Sequence, residues 1–162
     1  MALETGGIDS EEFYRAVADI IGTDLDRDAF LEIWCNIFSL DEGMVALGES
    51  LSQEYGTWLV SNTSRIHYEY VVEKFPRVTF YKEAALSFAL GVMKPSLAYY
   101  EKAIEKFDID PFQAVFIDDL KENVEGAVAA GMTGIVFRNR DQLLHQLQRL
   151  GLNVPKIGSS QD

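Results

Sequence analysis

The chain is poor in three things, and each shortage removes a class of protein. It has a single cysteine, Cys35, inside a helical apolar pattern, so no intrachain disulfide can form and a reducing, cytoplasmic setting is expected. It is short of cations. Fourteen Lys and Arg face 26 Asp and Glu, a formal charge of -12 that leaves nothing to neutralise a polyanionic backbone and excludes nucleic acid as an expected partner. Long apolar runs are missing too: none approaches the ~20 residues that cross a bilayer, and MALETGGIDSEE has neither a basic start nor an apolar signal core. No membrane partner is expected. What the chain does have is 48% hydrophobic content over 162 residues, enough for one domain with a buried core and at most a small appendage.

The first third reads as helix. IDSEEFYRAVADIIG offers Asp9 or Ser10 as N-cap, sets Phe13, Val17, Ile20 and Ile21 on one face, and stops at Gly22. DRDAFLEIWCNIF and GMVALGESLSQEY follow as two more amphipathic helices. From Thr57 the pattern changes. Short apolar runs, TWLVS, EAALS, AVFI and GIVF, alternate with the helical stretches RIHYEYVVEKF, SLAYYEKAIEKF, ENVEGAVAA and DQLLHQLQRL. Such alternation predicts an α/β fold, a Rossmann-like parallel sheet with helices on its faces. The expected organisation is a helical subdomain over 1–54, an α/β core over 55–152 and a flexible polar tail over 153–162.

In such sheets ligands bind beyond the carboxyl ends of the strands, and three polar signals fall there. Ser61 closes TWLVS and is followed by Asn62 and Thr63; Lys94-Pro95 comes a short loop after EAALS; Asp118-Asp119 close AVFI, with Asn123 behind them. Each has a plain alternative. The Ser61–Thr63 triplet could cap the next helix, and Asp119 with Glu122 could form a capping box. That box leaves Asp118 unexplained. Two adjacent carboxylates at a buried strand tip disfavour joint ionisation, so either a cation sits there or one acid has a structural role. Lys94 stands where a helix should start and meets the positive end of its dipole, a locally unfavourable position that leans towards function.

In this order, Ser61-Asn62-Thr63, Lys94-Pro95 and Ile117-Asp118-Asp119-x-x-x-Asn123 resemble motifs two, three and four of the haloacid dehalogenase (HAD) superfamily, whose commonest members are magnesium-dependent phosphatases. The resemblance runs from about Gly6 to Leu152. It is nearest to the sugar-phosphate phosphatase branch, through SNTSRIHYEY, GVMKP and FIDDLKENVEGA, and it makes the helical beginning similar to the second half of that branch's cap. It implies Mg2+ as cofactor, ligated directly by Asp119, with Asp118 acting from behind or through water; hard oxygen ligands suit that ion. It further implies that Ser61 donates to the phosphoryl oxygens and that Lys94 offsets the charge of nucleophile and phosphate. Asn62 would help orient the phosphate and Asn123 would brace the loop carrying the acids. The implied substrate is a small phosphorylated metabolite such as a sugar phosphate.

The family's nucleophile is an aspartate in a D-x-D pattern behind an apolar strand, and it forms an aspartyl-phosphate. No segment here has that context. Asp24-Leu25-Asp26 lies between two helices, and Asp108-Ile109-Asp110 precedes AVFI, at the wrong end of the sheet. The resemblance therefore implies a chain lacking the family's first, central strand, together with the first part of the cap. Its flanking strands should either pair directly or face a gap of roughly 9 to 10 Å. Helices around Phe13, Phe30, Trp34 and Phe38 should expose apolar surface, favouring self-association or capture of a strand. The functional expectation is a magnesium-dependent phosphatase acting through an aspartyl-phosphate, inactive as the chain stands. The alternative is a catalytically inactive interaction or regulatory protein. A response-regulator receiver is disfavoured because it places its acidic pair early and its lysine last. A dehalogenase ranks low because the acidic pair suits a metal, which that branch does not use.

Overall fold

The structure, a computed structural model, describes residues 2–22 and 26–154. Asp24 and Leu25 of the first D-x-D spelling and the tail from 155 onwards lie outside the described residues. Three helices open the chain. Asp9 caps α1 (Ser10–Ile21): its Oδ1 accepts from the Glu11 and Glu12 amides at 2.9 and 2.8 Å, and Glu12 accepts in return from the Asp9 amide, closing a capping box. Gly22 ends the helix at φ 70°, a left-handed turn that glycine adopts without strain. Asp26 and Asp41 cap α2 (Arg27–Cys35) and α3 (Glu42–Glu54) through the Ala29 and Met44 amides.

Aromatic faces join α1 to α2, with the Phe13 ring 4.8 Å from Trp34 and 6.0 Å from Phe30. Phe30 is buried, whereas Ile20, Ile21, Ile33 and Ile37 are bare, Ile20 at 85% exposure. The helices around these aromatics thus expose apolar surface as expected, on the isoleucines and partly on Trp34, while Phe30 itself is covered. The third helix behaves differently. Leu47 of α3 shares a core cluster with Ile135, Leu143, Leu144 and Leu147, so this helix of the expected 1–54 subdomain packs with the α/β layer.

Two pairs of parallel strands follow. β1 (Trp58–Ser61) pairs with β2 (Glu83–Leu86), setting Ser61 opposite Leu86; β3 (Val115–Asp118) pairs with β4 (Thr133–Val136), setting Asp118 opposite Val136. The crossover helices are α4 (Arg65–Lys74) between β1 and β2, α6 (Leu97–Phe107) between β2 and β3, and α7 (Lys121–Ala129) between β3 and β4. A short α5 (Ser87–Leu90) follows β2, and α8 (Arg140–Arg149) follows β4. Short 3-10 turns at Pro76–Val78 and Pro111–Gln113, each opened by a proline, were not read from the sequence.

β1 and β3 do not pair, so the strands make two two-stranded sheets rather than one. Of the two expected outcomes the open gap is the one found. Helix α6 splints it: Tyr99 and Tyr100 pack with Phe116 and Val124 on one side, Ala103 and Phe107 with Ala85 on the other, and Val60 touches both groups. Two buried hydroxyls fix the splint, Tyr99 donating to the Ala85 carbonyl and Tyr100 to the Asn123 carbonyl, each at 2.6 Å. A cavity of about 380 Å³ lies in the gap, lined by Trp58 and Val60 from one sheet and Val115, Phe116 and Ile117 from the other.

Candidate active site

Lys94 ties the two half-sheets together at their carboxyl ends. Its Nζ donates to Asp118 Oδ2 at 2.6 Å and to the Val60 carbonyl at 3.3 Å, and both charged side chains are buried, at 8% and 7% exposure. The other Asp118 oxygen accepts from the Leu120 amide and from Asn123 Nδ2, both at 2.9 Å. Burial alone would raise the Asp118 pKa. The hydrogen bonds from Lys94, Asn123 and the Leu120 amide, with the Lys94 charge, more than offset it and hold the carboxyl below its ordinary range. The question of the paired acids is thus answered for Asp118 from within the chain: its cation is Lys94. Asp119 stands exposed beside it. The Asp119–Glu122 capping box does not form, since Leu120 is the N-cap of α7 and no side chain caps that helix.

The loops behind these groups are fixed by side-chain-to-backbone bonds. Asn62 clamps the Lys94 backbone from both sides, donating from Nδ2 to the Lys94 carbonyl at 2.9 Å and accepting at Oδ1 from the Lys94 amide at 2.8 Å. The Lys94–Pro95 bond in this clamp is cis. Both polar ends of the Asn62 amide are therefore engaged in positioning Lys94. Capping of α4 falls to Ser64, whose Oγ accepts from the His67 amide, which leaves the Ser61–Thr63 triplet outside the cap. A residue not singled out from the sequence completes the scaffold. Ser87, fully buried after β2, accepts from the Thr63 amide at 3.0 Å and donates to the Thr63 carbonyl at 3.1 Å. Its signal was available, because it closes EAALS just as Ser61 closes TWLVS.

The described aspartates of the two D-x-D spellings are each engaged away from the strand tips. Asp26 is occupied as the cap of α2, Asp108 closes α6 at φ 50°, and Asp110 accepts from the Phe112 amide before β3 begins. Among the described residues no three His, Cys, Asp or Glu side chains converge on a point that could hold a metal ion. Asp119 and Asp118 are what the site offers to magnesium, and Lys94 already holds one of them. That donor set does not by itself assemble a magnesium centre.

The frame is a Rossmann-like parallel α/β fold with Ser61, Lys94 and the Asp118-Asp119 pair at or just behind the carboxyl ends of its strands. The chain belongs to the haloacid dehalogenase-like hydrolases, which it matches over residues 7–131. It is 30% identical over 156 residues to a flavin mononucleotide hydrolase of Arabidopsis thaliana, covering 95% of this chain and 63% of that protein. A D-ribitol-5-phosphate phosphatase of Bacteroides thetaiotaomicron is 25% identical over 129 residues, with 75% and 63% covered. The chain thus spans less than two thirds of these two relatives. In fold it resembles a HAD family enzyme of Bacteroides thetaiotaomicron in complex with magnesium and inorganic phosphate, with a TM-score of 0.79 at 24% identity over 85% of this chain and 74% of that one.

Proposed function

We propose that this chain forms the larger part of a magnesium-dependent phosphatase of small phosphorylated metabolites, acting through an aspartyl-phosphate whose aspartate arrives on a strand seated between β1 and β3. The observation that carries this reading is Lys94, buried and bonded at once to β1 and to Asp118 of β3, which fixes a cation at the mouth of the gap. Ser61 stands at the tip of β1 to donate to a phosphoryl oxygen. The positive end of α4 begins three residues on, at Ser64, and also favours an anion. Lys94 counters charge gathering on the phosphoryl group, Asn62 holds Lys94 in register, and Asn123 holds Asp118. Asp119, with Asp118 behind it, would hold magnesium, which would supply a hard positive charge to the phosphoryl group. The opening helices, which resemble the family's cap, would close over the substrate. A cytoplasmic location fits the lone Cys35, whose thiol burial pushes above its ordinary pKa, with Lys74 nearby opposing.

A second reading is favoured by the incomplete donor set and the open gap: a catalytically inactive HAD-like interaction protein that captures a strand or a second copy of itself. Turnover of p-nitrophenyl phosphate separates the two. The chain alone should show none, whereas chain plus an apolar peptide ending in D-x-D should show magnesium-dependent turnover that Asp119→Ala abolishes. A peptide that binds and tightens the fold without turnover would favour the interaction protein.

A further inference from the structure

Opposite the gap, on the other face of β1, lies a second cavity of about 220 Å³. Ser61 forms part of its wall. Leu59 from β1 and Val71 and Val72 from α4 make it apolar, and Phe38 covers it from the helical subdomain. His67, on the first turn of α4, also faces it. The His67 ring is held flat against Trp34, with centroids 6.0 Å apart and planes 16° apart, and edge-on to Phe38 at 5.1 Å. Its Nε2 is buried and has no hydrogen-bond partner within the protein. Among the other polar side chains of the lining, the Tyr68 and Tyr81 hydroxyls lie 2.9 Å apart and satisfy each other.

An unpaired nitrogen in an aromatic setting is costly unless something bonds to it. A cavity of roughly 150 Å³ admits a benzene ring, so this one has room for one or two fused rings. We infer that the cavity between β1 and α4 receives the planar leaving group of the substrate, a phosphate monoester of a one- or two-ring aromatic or heteroaromatic alcohol, with His67 Nε2 hydrogen-bonded to a polar atom of the ring. This rests on the phosphatase reading, which puts the phosphoryl group at Ser61. His67 is then a specificity-determining residue that touches the leaving group and not the phosphorus. Trp34 and Phe38 orient the imidazole and close the pocket, giving the helical subdomain a part in substrate choice.

Calorimetric titration of the whole chain tests this without requiring turnover. The probes are 4-methylumbelliferyl phosphate, whose planar two-ring group carries a carbonyl acceptor, and glycerol 2-phosphate, which has no ring. The planar ester should bind at least about tenfold more tightly, roughly 1.4 kcal/mol. His67→Phe keeps the ring contacts with Trp34 and Phe38 but removes the nitrogen, and should bring that ratio close to one; His67→Gln should retain part of it. Ser61→Ala should weaken both esters alike. Thermal melts check folding, and if His67→Phe does not fold, His67→Gln against the parent carries the comparison. Equal binding of the two esters, unmoved by either His67 substitution, overturns the inference and leaves the phosphatase reading standing. If neither ester binds, the phosphoryl site does not form in the chain without its added strand. Free 4-methylumbelliferone then decides for the pocket: His67-dependent binding sustains it and no binding ends it.

Discussion

Replacing Lys94 by Met tests the joint between the half-sheets. The substitution keeps the unbranched stem, one atom shorter, and removes the charge that faces Asp118 at 2.6 Å in a site where both groups are over nine-tenths buried. Deleting one member of a buried ion pair costs about 3–5 kcal/mol, because the other charge is left uncompensated. Asn123 and the Leu120 amide still donate to Asp118, so the lower end, about 3 kcal/mol, is expected. Against the 5–15 kcal/mol typical of a domain this is a large fraction, and urea unfolding followed by circular dichroism reads it directly. The double variant Lys94→Met with Asp118→Leu should recover most of the loss, since neither buried charge remains. Acid gives a second check. The folded Asp118 pKa lies below its unfolded value of about 3.9, so its stabilisation is fully present above that pH and is lost as pH falls through the folded value. Lys94→Met should flatten this part of the profile. A loss under about 1 kcal/mol in the single variant, or a double variant no better than the sum of the singles, would refute the reasoning.

Magnesium should bind the chain alone only weakly, and Asp119→Asn should remove what calorimetry detects; tight binding indifferent to that change would eliminate the site. Ser87→Ala should cost about 1–3 kcal/mol by stranding the Thr63 amide and carbonyl, seen as a lower urea midpoint at unchanged slope. Gly126→Ala should cost about 1–3 kcal/mol, because an added Cβ would stand 2.6 Å from the Tyr100 ring and 2.8 Å from the Pro95 carbonyl; an unchanged melt would show that α6 and α7 can part freely. Light scattering should find the chain self-associating, through the open edges of β1 and β3 and the bare isoleucines, and an added strand-forming peptide should render it monodisperse. A compact monomer indifferent to the peptide would mean that the gap is closed in solution.

Local features were legible in the sequence because their causes lie within a few residues. Asp9 and Glu12 are three apart and close a capping box, Gly22 stops α1, and four short apolar runs appear as four parallel strands within a residue or two of their expected ends. The residues proposed for the site, Ser61, Lys94, Asp118, Asp119 and Asn123, were named from the sequence by their types at or behind the strand ends. What each of them touches was not. Lys94 and Asp118 are 24 residues apart and meet only because α6 crosses from β2 to β3; Asn62 and Lys94 are 32 apart and meet across the paired tips of β1 and β2. Nothing in the residues near Asn62 distinguishes an amide that orients a phosphate from one that clamps a lysine backbone. The same holds for His67, which reads as one more polar position on α4 until Trp34 of α2 and Phe38 come to enclose its ring. The sequence by itself determined the elements, their caps and the chemistry available at the strand ends, through short-range hydrogen bonds and apolar periodicity. Only the tertiary structure decided which charges are paired, which strands stay apart and which nitrogen lacks a partner, because those depend on contacts between segments that the chain brings together only on folding.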